Sequence, residues 1–250
     1  MKKKLITSLL MIIAIILLNL LIPKVVNAVS FYDEDITWEW SGIREGDTNT
    51  MAYGVCIPST ANEFDTIPAI VWLHGSGYVD LSGNGLPDAV LNEWEKYGYE
   101  GFSAYILCPY LQDPDGYWNT SENVNKLKNL LDKFIAEYNV DMENIVLMGN
   151  SRGGTGAMYI GNYLANYFSK CVVCSGFSTN TYPTIPTICF VGTSDQQGCI
   201  DAAKKYASVL GESNVFWVGT SHGSVHHSAI FKDNGEFSRN WNFTVIIVQI

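Results

Sequence analysis

Six short apolar runs constrain this chain more than anything else in it. Residues 69–73, 104–108, 145–148, 171–174, 187–191 and 215–218 are each four or five residues long and almost wholly apolar. A strand with one wet face alternates apolar and polar residues, whereas a strand buried on both faces reads as a continuous run. Between the runs lie segments of helical period, clearest where Val124, Leu127, Leu130, Leu131, Phe134, Ile135 and Tyr138 recur at spacings of three and four. Segments 91–97, 155–168 and 202–210 repeat the pattern more weakly. Strand and helix therefore alternate, and crossover units of this kind build a mostly parallel sheet with helices on both faces.

The N-terminal part has a different texture. Ile36, Trp38 and Trp40 alternate with polar residues, Gly46-Asp47 supplies a turn, and residues 51–57 resume an extended pattern that Pro58 ends. This predicts an antiparallel hairpin ahead of an α/β sheet of about eight strands. With 250 residues, 47% of them hydrophobic, the chain can bury one substantial core and is short for two domains.

The first residues stand outside that core. Lys2-Lys3-Lys4 forms a basic start, residues 5–22 are apolar apart from a few polar positions, and Val26-Asn27-Ala28 has the small residues of a cleavage site. Residues 1–28 are expected to be a secretory signal peptide and 29–250 a single exported domain. The rival reading is an uncleaved membrane anchor, because the apolar run approaches the length of a spanning helix. Removing the segment takes away four of the 15 basic residues and none of the 25 acidic ones, moving the net charge from -10 to about -14. So acidic a domain is not expected to bind nucleic acid.

Cys56, Cys108, Cys171, Cys174 and Cys189 fall in the apolar runs, where free buried thiols are expected. Cys171 and Cys174 have C-x-x-C spacing, but in a strand positions i and i+3 face opposite ways, which argues against a redox or zinc role. Cys199 alone reads as a loop residue able to pair with a neighbour.

In open α/β sheets ligands bind beyond the carboxyl ends of the strands. Those ends carry His74-Gly75-Ser76-Gly77, Pro109-Tyr110, Gly149 to Gly154, Thr193-Ser194-Asp195 and Ser221-His222-Gly223. Of the chain's four histidines, His74 and His222 lie in these segments and His226 and His227 follow closely in the same rim loop. Gly149-Asn150-Ser151-Arg152-Gly153 fits G-x-S-x-G, in which a sharp strand-to-helix turn lifts a serine above the sheet. An acid, Asp195, and a histidine, His222, follow in that order after later strands, with Asp201 as the reserve acid and His226 as the rival base. Ser151 needs a base to accept its proton, the imidazole is that base, and Asp195 would fix its tautomer. The oxyanion made by attack needs backbone N–H donors already in place, one from Arg152 and one from the Gly75-Ser76-Gly77 turn.

On these motifs the chain resembles the α/β-hydrolases, in particular small secreted serine esterases with H-G-x-G ahead of G-x-S-x-G. The resemblance spans roughly residues 50 to 232. It implies a Ser151, His222 and Asp195 triad, an oxyanion hole from the amides of Ser76 and Arg152, and no cofactor or metal. One segment departs from the pattern: residues 243–250 are β-branched and read as a strand where the family ends in a helix.

The function expected is hydrolysis of carboxylic esters outside the cell, on small esters or acylated polysaccharide. A serine peptidase of the same fold and a catalytically dead binding module are the alternatives. No cap is evident, since residues 175–186 make only an ordinary loop. Tyr78, Tyr110 and Trp118, from rim loops, are candidate substrate walls, against a rival reading of packing beneath the loop 111–121.

Overall fold

The structure, a computed structural model, describes residues 38–76, 103–111, 113, 116–177 and 180–222, all within one compact unit. Eight strands appear among them: β1 (Trp38–Trp40), β2 (Tyr53–Pro58), β3 (Ile67–Leu73), β4 (Tyr105–Pro109), β5 (Val140–Asn150), β6 (Lys170–Cys174), β7 (Thr187–Ser194) and β8 (Val215–Ser221). They form one sheet in the order β1-β2-β4-β3-β5-β6-β7-β8. β2 runs antiparallel to both β1 and β4, and every other neighbouring pair is parallel. All six apolar runs are strands of this sheet, and the N-terminal hairpin pairs Trp40 with Cys56.

The continuous runs are strands buried on both sides. β3 and β4 are buried at every position. Ala69, Val71, Ile145, Leu147, Cys171, Val173, Cys189 and Val191 face one way and join a core cluster with the three described helices. These helices are α1 (Ser121–Glu137), α2 (Arg152–Tyr163) and α3 (Gln197–Leu210). On the other face Ile70, Ile106, Val146, Met148, Val172 and Phe190 are equally buried. The helix expected over residues 91–97, the C-terminal segment 243–250 and the leader 1–28 lie outside the described residues.

α1 forms where the period predicts it. Thr120 caps it by accepting the Asn123 amide, and Val124, Leu127, Leu130, Leu131 and Phe134 make its buried stripe. Each such side chain contributes about 1.5–3 kcal/mol relative to exposure. α2 begins three residues before the weak pattern at Thr155, at Arg152, directly after the strand. β5 is longer than its apolar run because Val140 pairs with Ile67 ahead of a polar stretch, Asp141 to Asn144.

All six cysteines are free and buried. Cys171 belongs to the helix-side core and Cys174 does not, as the strand spacing requires. Cys199 departs from expectation: it sits in the first turn of α3, 1% exposed, not in a loop. That helix starts at Gln197 with no side-chain cap at Gln196.

Candidate active site

Five parallel strands deliver the site. Beyond β3 come His74, Gly75 and Ser76, beyond β5 Ser151, beyond β6 Ser175, beyond β7 Asp195 and beyond β8 His222.

Ser151 sits at φ 53° and ψ -115°, a strained conformation for a residue with a side chain. The turn is possible because its neighbours have none. A Cβ on Gly149 would lie 2.2 Å from the Gly153 carbonyl oxygen, and one on Gly153 would lie 2.0 Å from that of Leu73. The strand, the turn and the first turn of α2 thus pack backbone on backbone. The Ser151 amide donates to the Cys174 carbonyl at 2.8 Å, which ties the turn to β6.

The hydroxyl stands 3.0 Å from Nε2 of His222, and Nδ1 of His222 stands 2.6 Å from Oδ1 of Asp195. A carboxylate only accepts, so Asp195 puts the imidazole proton on Nδ1 and leaves the Nε2 lone pair facing Ser151. The Asp195 side chain is fully buried and that of His222 is 18% exposed. Asp195 is also held by Ser175 Oγ at 2.6 Å and by the amides of Gly192 at 3.1 Å and Gln196 at 2.7 Å. Burial alone would push its pKa up. The hydrogen bonds from Ser175, Gly192, His222 and Gln196 outweigh burial and hold the carboxyl below its ordinary value. Asp195 does not cap α3, whose N-cap is Gln196.

Ser175 is the residue that sequence reasoning missed. It too has positive φ, 49°, and is buried. Its only sequence signal is its position, a polar residue directly after a buried parallel strand.

The turn after β3 lies against Ser151. A Cβ on Gly75 would come within 3.3 Å of the Ser151 Cβ, so Ser76 is carried on backbone that abuts the elbow. Arg152 opens α2, where first-turn amides have no intrahelical acceptor. His74 is a structural part of this turn. Its Nδ1–H donates to the Gly75 carbonyl at 2.8 Å and its Nε2 accepts the Leu111 amide at 3.2 Å. Burial, the larger effect, lowers its pKa and keeps the ring neutral, as that pattern requires.

Trp118 is not a substrate wall. It is 0% exposed, its Nε1–H donates to the His74 carbonyl at 3.0 Å, and its ring meets the imidazole edge-on. An aromatic in a rim loop can point in or out, and here the indole N–H has a buried carbonyl to satisfy. Tyr110 is 1% exposed with its hydroxyl buried, and borders a cavity of about 500 Å³ shared with Leu111, Gly116, Tyr117 and Lys126. The Arg152 guanidinium donates to the Gly116 carbonyl at 3.0 Å and lies over the exposed Tyr117 ring, joining the elbow to that cavity wall. Tyr78, Gly77, His226 and His227 lie outside the described residues.

No protein-family model matches the sequence, and no curated protein matches it. Solved structures do match the fold. A ferulic acid esterase superposes with a TM-score of 0.60 at 14% identity, over 79% of this chain and 95% of that one. One of two fungal esterases from Rhizomucor miehei gives 0.56 at 16%, over 85% and 82%. The chain has the α/β-hydrolase fold. A thermostable esterase also matches this α/β-hydrolase fold, with a TM-score of 0.56 at 20% identity over 76% of the chain, which spans only 56% of that protein's length.

Within the α/β-hydrolase fold Cys199 adds a group that the sequence pattern did not place. Its S–H donates to the Ser175 carbonyl at 3.1 Å, and its sulfur is 3.6 Å from His222 Nδ1. Burial, and then the Asp195 carboxylate beside it, push this thiol up to about 12. At neutral pH it is a protonated thiol.

Proposed function

We propose that this chain is an exported serine hydrolase that cleaves carboxylic esters through an acyl-enzyme on Ser151. The observation that carries the reading is the unbroken relay from Ser151 Oγ through His222 to Asp195, at 3.0 and 2.6 Å. As Ser151 attacks the ester carbonyl, His222 Nε2 takes its proton and Asp195 balances the charge that forms on the imidazole. The oxyanion meets the amides of Ser76 and Arg152. The tetrahedral adduct collapses with proton return from His222 to the departing alkoxide, which leaves as an alcohol. Water then repeats the sequence to release the acid.

The substrate class is a small or polysaccharide-linked ester. Three features support it: the leader-like residues 1–28, the absence of any helix or strand among described residues of the segment 175–186, and an exposed aromatic, Tyr117, beside the elbow. The fold is shared with a ferulic acid esterase, which agrees with that choice.

The test is an assay of residues 29–250 against p-nitrophenyl acetate, longer acyl esters, acetylated and feruloylated xylan, and aminoacyl amides. Ester turnover that disappears in Ser151→Ala is the expected result. Turnover of the amides alone would turn the reading to a peptidase, and turnover of none of them to a binding module.

A further inference from the structure

Cys199 is a buried thiol that ester hydrolysis does not use, and it lies against the two residues that hydrolysis cannot do without. Cys199 Sγ, His222 Nδ1 and an Asp195 carboxylate oxygen all lie within 4.8 Å of one another. From these positions we propose that Cys199, His222 and Asp195 form an inhibitory site for a soft divalent cation of the Zn²⁺ or Cd²⁺ type.

The donor set suits such an ion. Thiolate and imidazole are the ligands these cations select over Mg²⁺ or Ca²⁺, and two anionic ligands neutralise a dication taken into a buried site. With Zn–S near 2.3 Å and Zn–N near 2.0–2.1 Å, a tetrahedral centre separates sulfur from nitrogen by about 3.6 Å. The sulfur and Nδ1 already stand 3.6 Å apart. The Nδ1–Oδ1 pair, at 2.6 Å, is the edge that must widen, by roughly 0.8 Å for a tetrahedral N–Zn–O edge. The partly exposed His222 ring is the side from which the ion enters. Water completes the coordination.

Inhibition follows from tautomer chemistry and rests on the proposed hydrolysis. The cation takes the Nδ1 lone pair, so the imidazole proton that Asp195 now holds there moves to Nε2. The Cys199 S–H proton is released to solvent, one per ion bound. Nε2–H then faces Ser151 Oγ and can accept no proton from it, and the serine is left without its base.

Binding is measured on the full chain by titration with Cd²⁺, following the ultraviolet charge-transfer band of a Cd²⁺–thiolate bond. This readout needs no activity. Wild type is expected to show one thiolate-bound Cd²⁺ per chain. The band should be lost in Cys199→Ala and Cys199→Ser, and binding at least tenfold weaker in His222→Ala. In parallel, Zn²⁺ should suppress wild-type ester hydrolysis reversibly, EDTA restoring it, while the hydrolysis that Cys199→Ala retains is unaffected by the same Zn²⁺. No band in wild type, or a band that persists in both Cys199 variants, overturns the site. Binding without loss of hydrolysis overturns the inhibition. If wild type hydrolyses nothing, the band still decides the site, and the failure belongs to the functional reading alone.

Discussion

At the scale of single residues, the site is held by polar groups that compensate for burying a charge. Asp195 sits with its side chain fully buried and accepts four hydrogen bonds, so its pKa in the folded protein lies below the ordinary carboxylate value. The linkage has a definite sign. A depressed carboxylate stabilises the fold at pH values above its unfolded pKa, near 3.9, and that contribution is lost as pH falls through the lower, folded value. Asp195→Asn is therefore expected to be less stable than wild type at pH 7, with the gap narrowing below about pH 4. Urea unfolding of both proteins across pH 3 to 7 measures it. Ser151, Asp195 and His222 were legible in the sequence because reactive residue types at strand ends, in the order serine, acid, histidine, have few other readings. Ser175 was not, because one serine after an apolar run resembles any other until the fold brings its hydroxyl to Asp195. Trp118 misled for the opposite reason: a loop aromatic does not announce which way it faces, and the carbonyl of His74 that satisfies it is 44 residues away.

At the scale of elements, close backbone approach explains the glycines of the elbow. In Gly153→Ala the added carbon would meet the Leu73 carbonyl carbon and oxygen at 2.6 and 2.0 Å, with no flexible side chain to yield. The variant is expected to lose 2 kcal/mol or more, roughly the upper range for overpacking, because α2 must back away from β3. Gly161, also in α2, offers a control. Its Cβ would crowd ring atoms of Pro183 at 3.1 and 3.2 Å and meet Cys171 Sγ at an ordinary 3.6 Å, and the gain in helix propensity, up to about 1 kcal/mol, offsets that crowding. Chemical denaturation of the two variants should separate them clearly. Element ends were the least legible feature. α3 begins at Gln197 without a side-chain cap, and its buried stripe of Cys199, Ala202, Ala203 and Tyr206 is made mostly of small residues, so Cys199 read as loop.

At the scale of the whole molecule, the sheet was legible because burial on both faces writes itself as unbroken apolar runs, whereas the placing of β4 between β2 and β3 was not, because no run of apolar residues names its neighbour. The placement of the cysteines has a consequence for the assembled protein: with all six free and buried, the fold does not depend on disulfides. Six thiols should react per chain under denaturing, non-reducing conditions, and reductant should leave the unfolding midpoint unchanged. The central claim is that this fold raises Ser151 as a nucleophile with His222 as its base. Fluorophosphonate labelling followed by peptide mapping tests it most directly. One adduct on Ser151 is expected, absent from Ser151→Ala and slowed on the order of 10⁴-fold in His222→Ala, since nucleophile and base act as one unit. An adduct on another serine, or labelling of Ser151 that persists at the wild-type rate in His222→Ala, would contradict it.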